Sequence, residues 1–318
     1  MKILFVGYSN VFKKRIIPIL NKLEFIDTIC IAKYKHQDWD NSYKIIKKPL
    51  ELYDNYEDAF AKSNANISYI STTNNSHYLW AKVSLMAGIH TIIDKPATIH
   101  FSEAKELLDI AKQKKILVSE STVYLYHPQF SKINELLAFN NFIPKFLTAH
   151  FSFPPMDKSN FRYNKDLGGG AFLDTSPYAI SIGRYIFNSN PEFSKYIINE
   201  KSDSDVEISY SLLLKYSCGR SLIGHFGFNS EYINRINILG SNFSIDVDRV
   251  FTIPESKRNV IKVMSNNVFS EVKVVEGNTF LLYLNFVGNS IKNNSFNKLY
   301  EDFYNDSYSK NFIIKNNL

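Results

Sequence analysis

Lys95 occupies an unusual place for a charge. It stands in Thr91-Ile92-Ile93-Asp94-Lys95-Pro96, directly after an apolar run. A lysine at the mouth of a parallel sheet is set to meet a ligand. Its ammonium can stabilise negative charge developing on a bound carbonyl oxygen. A second cluster follows in the other half of the chain. Arg162-Tyr163-Asn164 precedes Asp166-Leu167-Gly168-Gly169-Gly170, and Asp174 and Tyr178 come next. A triple glycine opening a helix invites the close approach of a ligand or of backbone. Asp174 and Tyr178 are four residues apart, so one helical face carries both. Pro177 between them predicts a start or a kink there, which leaves the two side chains neighbours.

The elements that must position Lys95 lie before it. Lys2 to Val6 reads as a buried strand of a parallel sheet and runs into Gly7-Tyr8-Ser9-Asn10-Val11-Phe12. A helix is expected from there to about Leu23, with Pro18 kinking it or delaying its start. A strand, a tight turn and a helix N-terminus make an anion site, because free N–H groups and the helix dipole face the ligand. Of the dinucleotide fingerprint G-x-G-x-x-G only the first glycine is present. Ser9 is small enough to admit a pyrophosphate. Phe12, at the third glycine position, is bulky. By itself this turn fits an ordinary βα connection equally well.

Ile26 to Ala32 is the second strand. An acid at its end would hold the ribose 2′-OH of NAD; this chain has Lys33-Tyr34-Lys35 instead. The two lysines could neutralise the 2′-phosphate of NADP and Tyr34 could lie against its adenine, or the three could form a solvated turn. Asp54 to Lys62 predicts a short helix and Ile67 to Ile70 a strand. Ser71-Thr72-Thr73-Asn74-Asn75-Ser76-His77 follows as a polar turn, with Asn75 or Ser76 the N-cap of a helix closed by Gly88. His77 is either a capping or surface histidine or a contact to a ligand at the sheet edge. Ile89 to Ile93 is a strand. Ala104, Leu107, Leu108 and Ala111 mark one helical face, and Ile116 to Val118 a strand ending near Glu120. This alternation predicts a doubly wound α/β domain.

Taken together, these motifs resemble the glucose–fructose oxidoreductase/inositol dehydrogenase (Gfo/Idh/MocA) family. The resemblance rests on Gly7-x-Ser9-Asn10, Ser71-Thr72-x-Asn74-x-x-His77, Gly88-Ile89-His90, Asp94-Lys95-Pro96, Glu120 and Tyr126-His127-Pro128, in the family's order and spacing. It covers nearly the whole chain. Asp94 replaces the usual glutamate of E-K-P, Thr73 a common proline, and Phe12 departs most. The resemblance implies a Rossmann-type domain over 1–122 and a substrate-binding and oligomerisation α+β domain over 123–318. It places Gly7, Ser9, Asn10, Val11, Lys33, Tyr34, Lys35, Ser71, Thr72, Asn74, His77, Asp94, Lys95, Pro96 and Glu120 at the cofactor. Lys95, Tyr126, Arg162, Asp174 and Tyr178 fall at the substrate.

In the family the G-G-G…D-x-x-x-H segment supplies a catalytic histidine. Tyr178 holds that position here, and Ser181 that of the aspartate which often follows. Such a tyrosine resembles the branch that reduces keto groups on nucleotide-linked sugars, and the dihydrodiol-dehydrogenase branch. Tyrosine, with an unperturbed pKa of about 10, is protonated at neutral pH and suits a proton donor. A nearby Lys95 ammonium would favour the phenolate left behind. The expected catalytic set is therefore Lys95, Tyr178 and Asp174. Asp174 would hold a sugar hydroxyl or position Lys95, and Arg162 would meet a diphosphate. NADP is the expected cofactor, with NAD the alternative, and no metal is expected. The alternatives in function are an NAD-dependent dehydrogenase of a free sugar or polyol, and a dinucleotide-binding protein without catalysis.

The rest of the second half predicts strands at Phe146 to Phe153, Val206 to Tyr216, Arg220 to Phe228, Ile233 to Leu239, Phe243 to Val247 and Val260 to Met264. They read as a large, mostly antiparallel open sheet with one apolar face. Asn278 to Ile291 and the Tyr/Asn-rich tail read as helical. The family's habit of pairing such sheets implies a homodimer or homotetramer.

Composition excludes other classes. The 318 residues suffice for two domains of about 150. With 45% hydrophobic and 21% charged residues the chain is a packed globular one. The net charge of +6 is scattered, with clusters only at Lys13-Lys14-Arg15, Lys47-Lys48 and Lys112 to Lys115, which is no nucleic-acid track. Cys30 and Cys218 lie in β-like runs and read as buried thiols of a reducing compartment. No segment reaches the ~18 apolar residues of a membrane span. The first residues are too short for a signal peptide, so the cytoplasm is expected, and polysaccharide biosynthesis is a fitting setting.

Overall fold

In the computed structural model, which describes residues 1–317, the short apolar runs of the first half become parallel strands. They are β1 (Lys2–Val6), β2 (Thr28–Ala32), β3 (Leu50–Tyr53), β4 (Ile67–Ile70), β5 (His90–Ile93) and β6 (Val118–Glu120). Their order, β3-β2-β1-β4-β5-β6, is that of a doubly wound sheet, and every pairing is parallel. The order reverses between β1 and β4, so the crevice at their C-terminal ends is where such a sheet takes a ligand. Both faces are covered, which is why β1 and β4 are buried without alternation. The helices of this half are α1 (Tyr56–Lys62), α2 (His77–Met86) and α3 (Phe101–Lys114). Asn55 caps α1 by accepting from the Asp58 N–H. α3 buries the expected Ala104, Leu107, Leu108 and Ala111 against the sheet.

The chain after Gly7 does not form one α-helix. Phe12–Ile16 takes π-helical spacing and Ile17–Lys22 tight 3-10 spacing, with Pro18 at the joint. Proline has no N–H to donate, so the hydrogen-bond ladder changes there.

The second half begins with α4 (Pro128–Phe139), β7 (Phe146–Ser152) and α5 (Ala171–Phe187). Then come β8 (Phe193–Lys201), β9 (Glu207–Lys215), β10 (Ser221–Gly227), β11 (Ile233–Leu239), β12 (Phe243–Asp248), β13 (Val260–Ser265) and β14 (Val268–Lys273). These eight strands form one sheet in the order β14-β13-β12-β11-β7-β10-β9-β8, antiparallel except for β7 with β10. One face packs under α5 through Leu147, Phe151, Tyr210, Leu214, Leu222 and Ile236. The other leaves Phe146, Phe193, Ile197, Ile223 and Phe269 exposed. β8 and β14 are the edge strands and were not expected. Their outer halves are polar, so period-2 alternation is weak there.

The chain ends with α6 (Thr279–Lys292) and α7 (Asn297–Lys315). Residues 280–307 belong to the first compact unit, with 1–121; the second is 122–279 and 308–317. The stretch 280–307 was expected in the second domain. It joins the first because Tyr283 bonds Ser119 at 2.9 Å, Tyr300 donates to the Ile116 carbonyl at 2.6 Å, and Gly288 lies against the Phe25 ring. Cys30 is buried in β2, but Cys218 is exposed. It forms the apex of the β9–β10 turn at φ 59°, where a hairpin has no core to cover it. Among the described residues no helix is long and apolar enough to cross a membrane.

Candidate active site

The cofactor end starts at Gly7. Its φ is +108°, and an added Cβ would overlap the Ser71 carbonyl oxygen, so only glycine lets the β1 turn lie against the β4 turn. This close approach is a cradle that fits a dinucleotide's pyrophosphate. Ser9 Oγ accepts the Phe12 N–H at 3.0 Å and meets Ser71 Oγ at 2.8 Å. Asn10 and Val11 lie exposed beside it. Phe12 does not crowd this turn. It is fully buried, with its ring 4.6 Å from Phe5 and 6.1 Å from Tyr8. The bulk that replaces the third glycine is absorbed by the core.

At the end of β2 the basic turn divides. Lys33 is buried, pairs with Asp54 at 3.1 Å and lies 5.7 Å from the Trp39 ring centre. Its charge is thus engaged within the protein, contrary to the expectation of a lysine reserved for a phosphate. Tyr34 and Lys35 are exposed, with Tyr34 near His36 and Tyr56. The loop beyond is tied back to the β1 turn. Tyr8 donates to Asp40 at 2.5 Å, Lys13 pairs with Asp40 at 3.0 Å, and Gln37 donates to the Tyr8 carbonyl. Burial, then the Asp40 carboxylate, push the Tyr8 phenol up to about 12.

The Lys95 backbone is fastened on both sides. Before it, the Asp94 carboxylate accepts from Ser71 Oγ (3.3 Å), Ser121 Oγ (3.0 Å) and the Lys95 N–H (3.0 Å). After it, the cis Lys95-Pro96 bond leads to two further ties. His77 Nδ1 meets the Pro96 carbonyl at 2.8 Å, and Glu120 accepts the Ala97 N–H at 2.8 Å. His77 is buried, and its Nε2 lies 3.1 Å from the Thr72 carbonyl. Burial lowers its pKa, against the opposing pull of these carbonyls and of the Asp94 carboxylate. It is a clamp inside the fold rather than a capping or surface residue. Ser76 donates to Thr72 Oγ1, and Asn74 is buried in the same turn.

In the second unit α5 runs unbroken through Asp174, Pro177 and Tyr178. Of the glycines before it, Gly169 admits backbone and Gly170 admits the Glu207 carboxylate. Gly169 and Gly170 donate to the Asn164 and Arg162 carbonyls at 2.9 Å each, and a Cβ on Gly169 would strike three carbonyl oxygens. Arg162 grips Asp174 with two parallel bonds, Nε to Oδ2 at 2.8 Å and Nη2 to Oδ1 at 3.1 Å. The sequence assigned Arg162 to a diphosphate and Asp174 to a sugar hydroxyl or Lys95. The structure adds a bond between the two, a bidentate fork that neutralises a carboxylate only 6% exposed. Tyr178 is half-buried in an aromatic enclosure: Phe151 at 5.1 Å, Phe251 at 5.1 Å and Tyr124 at 5.6 Å between ring centres. Ser181 Oγ bonds Tyr124 OH at 2.7 Å and steadies one wall. Tyr126 ends the short helix Val123–Tyr126; its neighbour Tyr124 is the residue packed on Tyr178.

Ser121, Tyr124, Phe151 and Phe251 were not singled out from sequence. Ser121 follows Glu120 directly and was findable as the end of β6. The aromatics carry no motif and come together only through the sheet.

Residues 1–122 match the family model described as oxidoreductase family, NAD-binding Rossmann fold, and residues 144–246 match the Gfo/Idh/MocA C-terminal domain. The chain belongs to the Gfo/Idh/MocA family of oxidoreductases. It is similar to a dTDP-3,4-didehydro-2,6-dideoxy-alpha-D-glucose 3-reductase from Actinomadura kijaniata, 26% identical over 81% of this chain and 77% of the relative. It is also similar to a D-xylose 1-dehydrogenase (NADP(+)) from Haloferax volcanii, 24% identical over 63% of this chain and 62% of the relative. Among solved structures, a 3-ketoreductase from Actinomadura kijaniata in complex with NADP and TDP-benzene superposes with a TM-score of 0.92. That match covers 100% of this chain and 98% of the other at 21% identity, so it carries the fold.

Proposed function

We propose that this protein is an NADP(H)-dependent reductase of a keto group on a sugar linked to a nucleoside diphosphate. The observation that carries the reading is Tyr178, a phenol on α5 held in an aromatic enclosure at the position where the family has its histidine. The names of the 3-reductase relatives agree with it. A bound reduced nicotinamide would supply the hydride that reduces the carbonyl carbon. Tyr178 gives its phenolic proton to the oxygen as it becomes an alkoxide, which completes the alcohol. Lys95 donates a hydrogen bond to the same oxygen and stabilises its growing charge. Asp94, Glu120 and His77 hold the Lys95 backbone so that little reorganisation is needed. Arg162 and Asp174 brace the first turn of α5 beneath Tyr178. Gly7, Ser9, Asn10 and Val11 would receive the pyrophosphate, and Tyr34 and Lys35 the adenosine 2′-phosphate end.

The chain works in the cytoplasm on this reading, where Cys30 and Cys218 stay reduced, and supplies sugars to polysaccharide biosynthesis. It self-associates through the apolar face of its large sheet. The direct test is titration with NADPH and NADH, followed by turnover on dTDP- and UDP-linked keto sugars. Tight NADPH binding with NADPH-dependent reduction supports the proposal. Lys95→Ala and Tyr178→Phe should each lower turnover at least ~100-fold. Oxidation of free xylose or a polyol, with no reduction of keto sugar nucleotides, would replace it with a sugar dehydrogenase.

A further inference from the structure

Two departures from the family pattern touch one side chain. Ser9 stands where the fingerprint has glycine, and Asp94 stands where E-K-P has glutamate. Ser9 Oγ is 2.8 Å from Ser71 Oγ, and Ser71 Oγ is 3.3 Å from Asp94 Oδ2. The direction of these bonds follows from counting hydrogens. A carboxylate only accepts, so the Ser71 hydroxyl hydrogen points to Asp94. Ser71 Oγ must then accept from the Ser9 hydroxyl, and Ser9 Oγ in turn accepts the Phe12 N–H at 3.0 Å. The result is a polarised row from the dinucleotide turn to the carboxylate that holds the Lys95 N–H at 3.0 Å. Ser71, the middle of the row, is buried at 4% exposed, while Ser9 and Asp94 are half-buried, so water is kept from the joint between them.

We propose that Ser9 and Asp94 are a matched pair of positioning residues, joined by Ser71, through which the dinucleotide-binding turn fixes the backbone of Lys95. The inference rests on the proposed role of Lys95. A glutamate would carry its carboxylate about 1.5 Å further, into the space that the Ser9 and Ser71 hydroxyls occupy. A glycine at position 9 removes that hydroxyl and leaves Ser71 Oγ without its donor. Each change alone breaks the row, and the two together restore a fit.

The test is a double-mutant cycle in the full-length protein with Ser9→Gly, Asp94→Glu and their combination, using NADPH and a dTDP-linked 3-keto hexose as probe. Each single change is expected to lower kcat about 10-fold with KM shifted less than about 3-fold, and the double variant to recover to within about 3-fold of the parent. Ser71→Ala, which removes the link without adding bulk, should lower kcat equally and make Ser9→Gly silent. The pH profile of Lys95 acetylation by acetic anhydride, read by mass spectrometry, needs no substrate. It should shift in each single variant and return in the double. Losses that multiply, or a labelling profile that never moves, would overturn the pairing. Lys95→Ala separates the two levels: a loss of at least ~100-fold with multiplying singles defeats only the pairing, whereas no loss defeats the catalytic reading itself.

Discussion

His127 shows how one buried side chain can govern the pH response of a domain. It is 1% exposed and caps α4 by accepting the Gln129 N–H at Nδ1. The proton of the neutral ring therefore sits on Nε2, a buried nitrogen with no hydrogen-bond partner among the described residues. Burial pulls its pKa from 6.5 down to about 4. In the unfolded chain the ring takes up a proton near 6.5; in the folded one it resists until about 4. Stability from this residue is thus complete above 6.5 and falls as pH drops towards 4, by at most about 3 kcal/mol. His127→Asn keeps an acceptor for the cap and removes the titration. Urea midpoints measured from pH 7 to 4 should fall less steeply in the variant than in the parent; parallel slopes would assign the pH dependence elsewhere. At Gly7 the constraint is steric. Gly7→Ala forces a Cβ into the Ser71 carbonyl at a φ that L-residues avoid. NADPH binding should weaken at least ~10-fold, because the turn must open where the pyrophosphate would lie.

At the scale of elements, α5 is fixed at its start by the Arg162–Asp174 fork and by the two glycine N–H bonds to the 162–164 loop. Asp174→Ala leaves a guanidinium that is partly solvated, since Arg162 keeps 24% of its side chain exposed. The cost should be about 2–3 kcal/mol, below the figure for a fully buried pair. Thermal unfolding would show it, and turnover should fall as well because Tyr178 lies one turn further on. Arg162→Lys is expected to recover only part of the loss, as an ammonium cannot make the parallel pair. The helical pattern of α3 and the alternation of β11 were legible, since local periodicity reports which face is buried. The π and 3-10 turns after Gly7 were legible only as a disturbance at Pro18, because spacing along a helix depends on what its side chains pack against. The fork between Arg162 and Asp174 was not legible for a related reason. Sequence shows two charged residues twelve apart but not the loop that folds one onto the other.

At the scale of the whole molecule, the open face of the large sheet carries the proposed self-association. Ile223, on β10 near the middle of that face, is 58% exposed, and Phe146 on the adjoining β7 is 51% exposed. Apolar side chains on neighbouring strands form a patch of the kind that marks an interface. Ile223→Lys should shift the protein to a smaller species in analytical ultracentrifugation while leaving its unfolding midpoint at low concentration nearly unchanged. A parent that sediments as a monomer at all concentrations would show the face to be solvent-exposed in the native state.

Sequence alone determined the two-part architecture, the alternation of the first half and the strand-rich second half, and it singled out Lys95, Asp174 and Tyr178 as candidates. It could do so because strand and helix periods are local, and because the motifs have fixed spacing. Tertiary structure alone decided the partners. It buried Phe12 in the core, spent Lys33 on Asp54 and Trp39, closed Arg162 on Asp174, and joined Ser9 to Asp94 through Ser71. It also returned residues 280–307 to the first unit. Each of these is a contact that no repeating helix or strand period predicts. The energy of such a contact depends on burial and hydrogen-bond geometry, which no local pattern of residue types encodes.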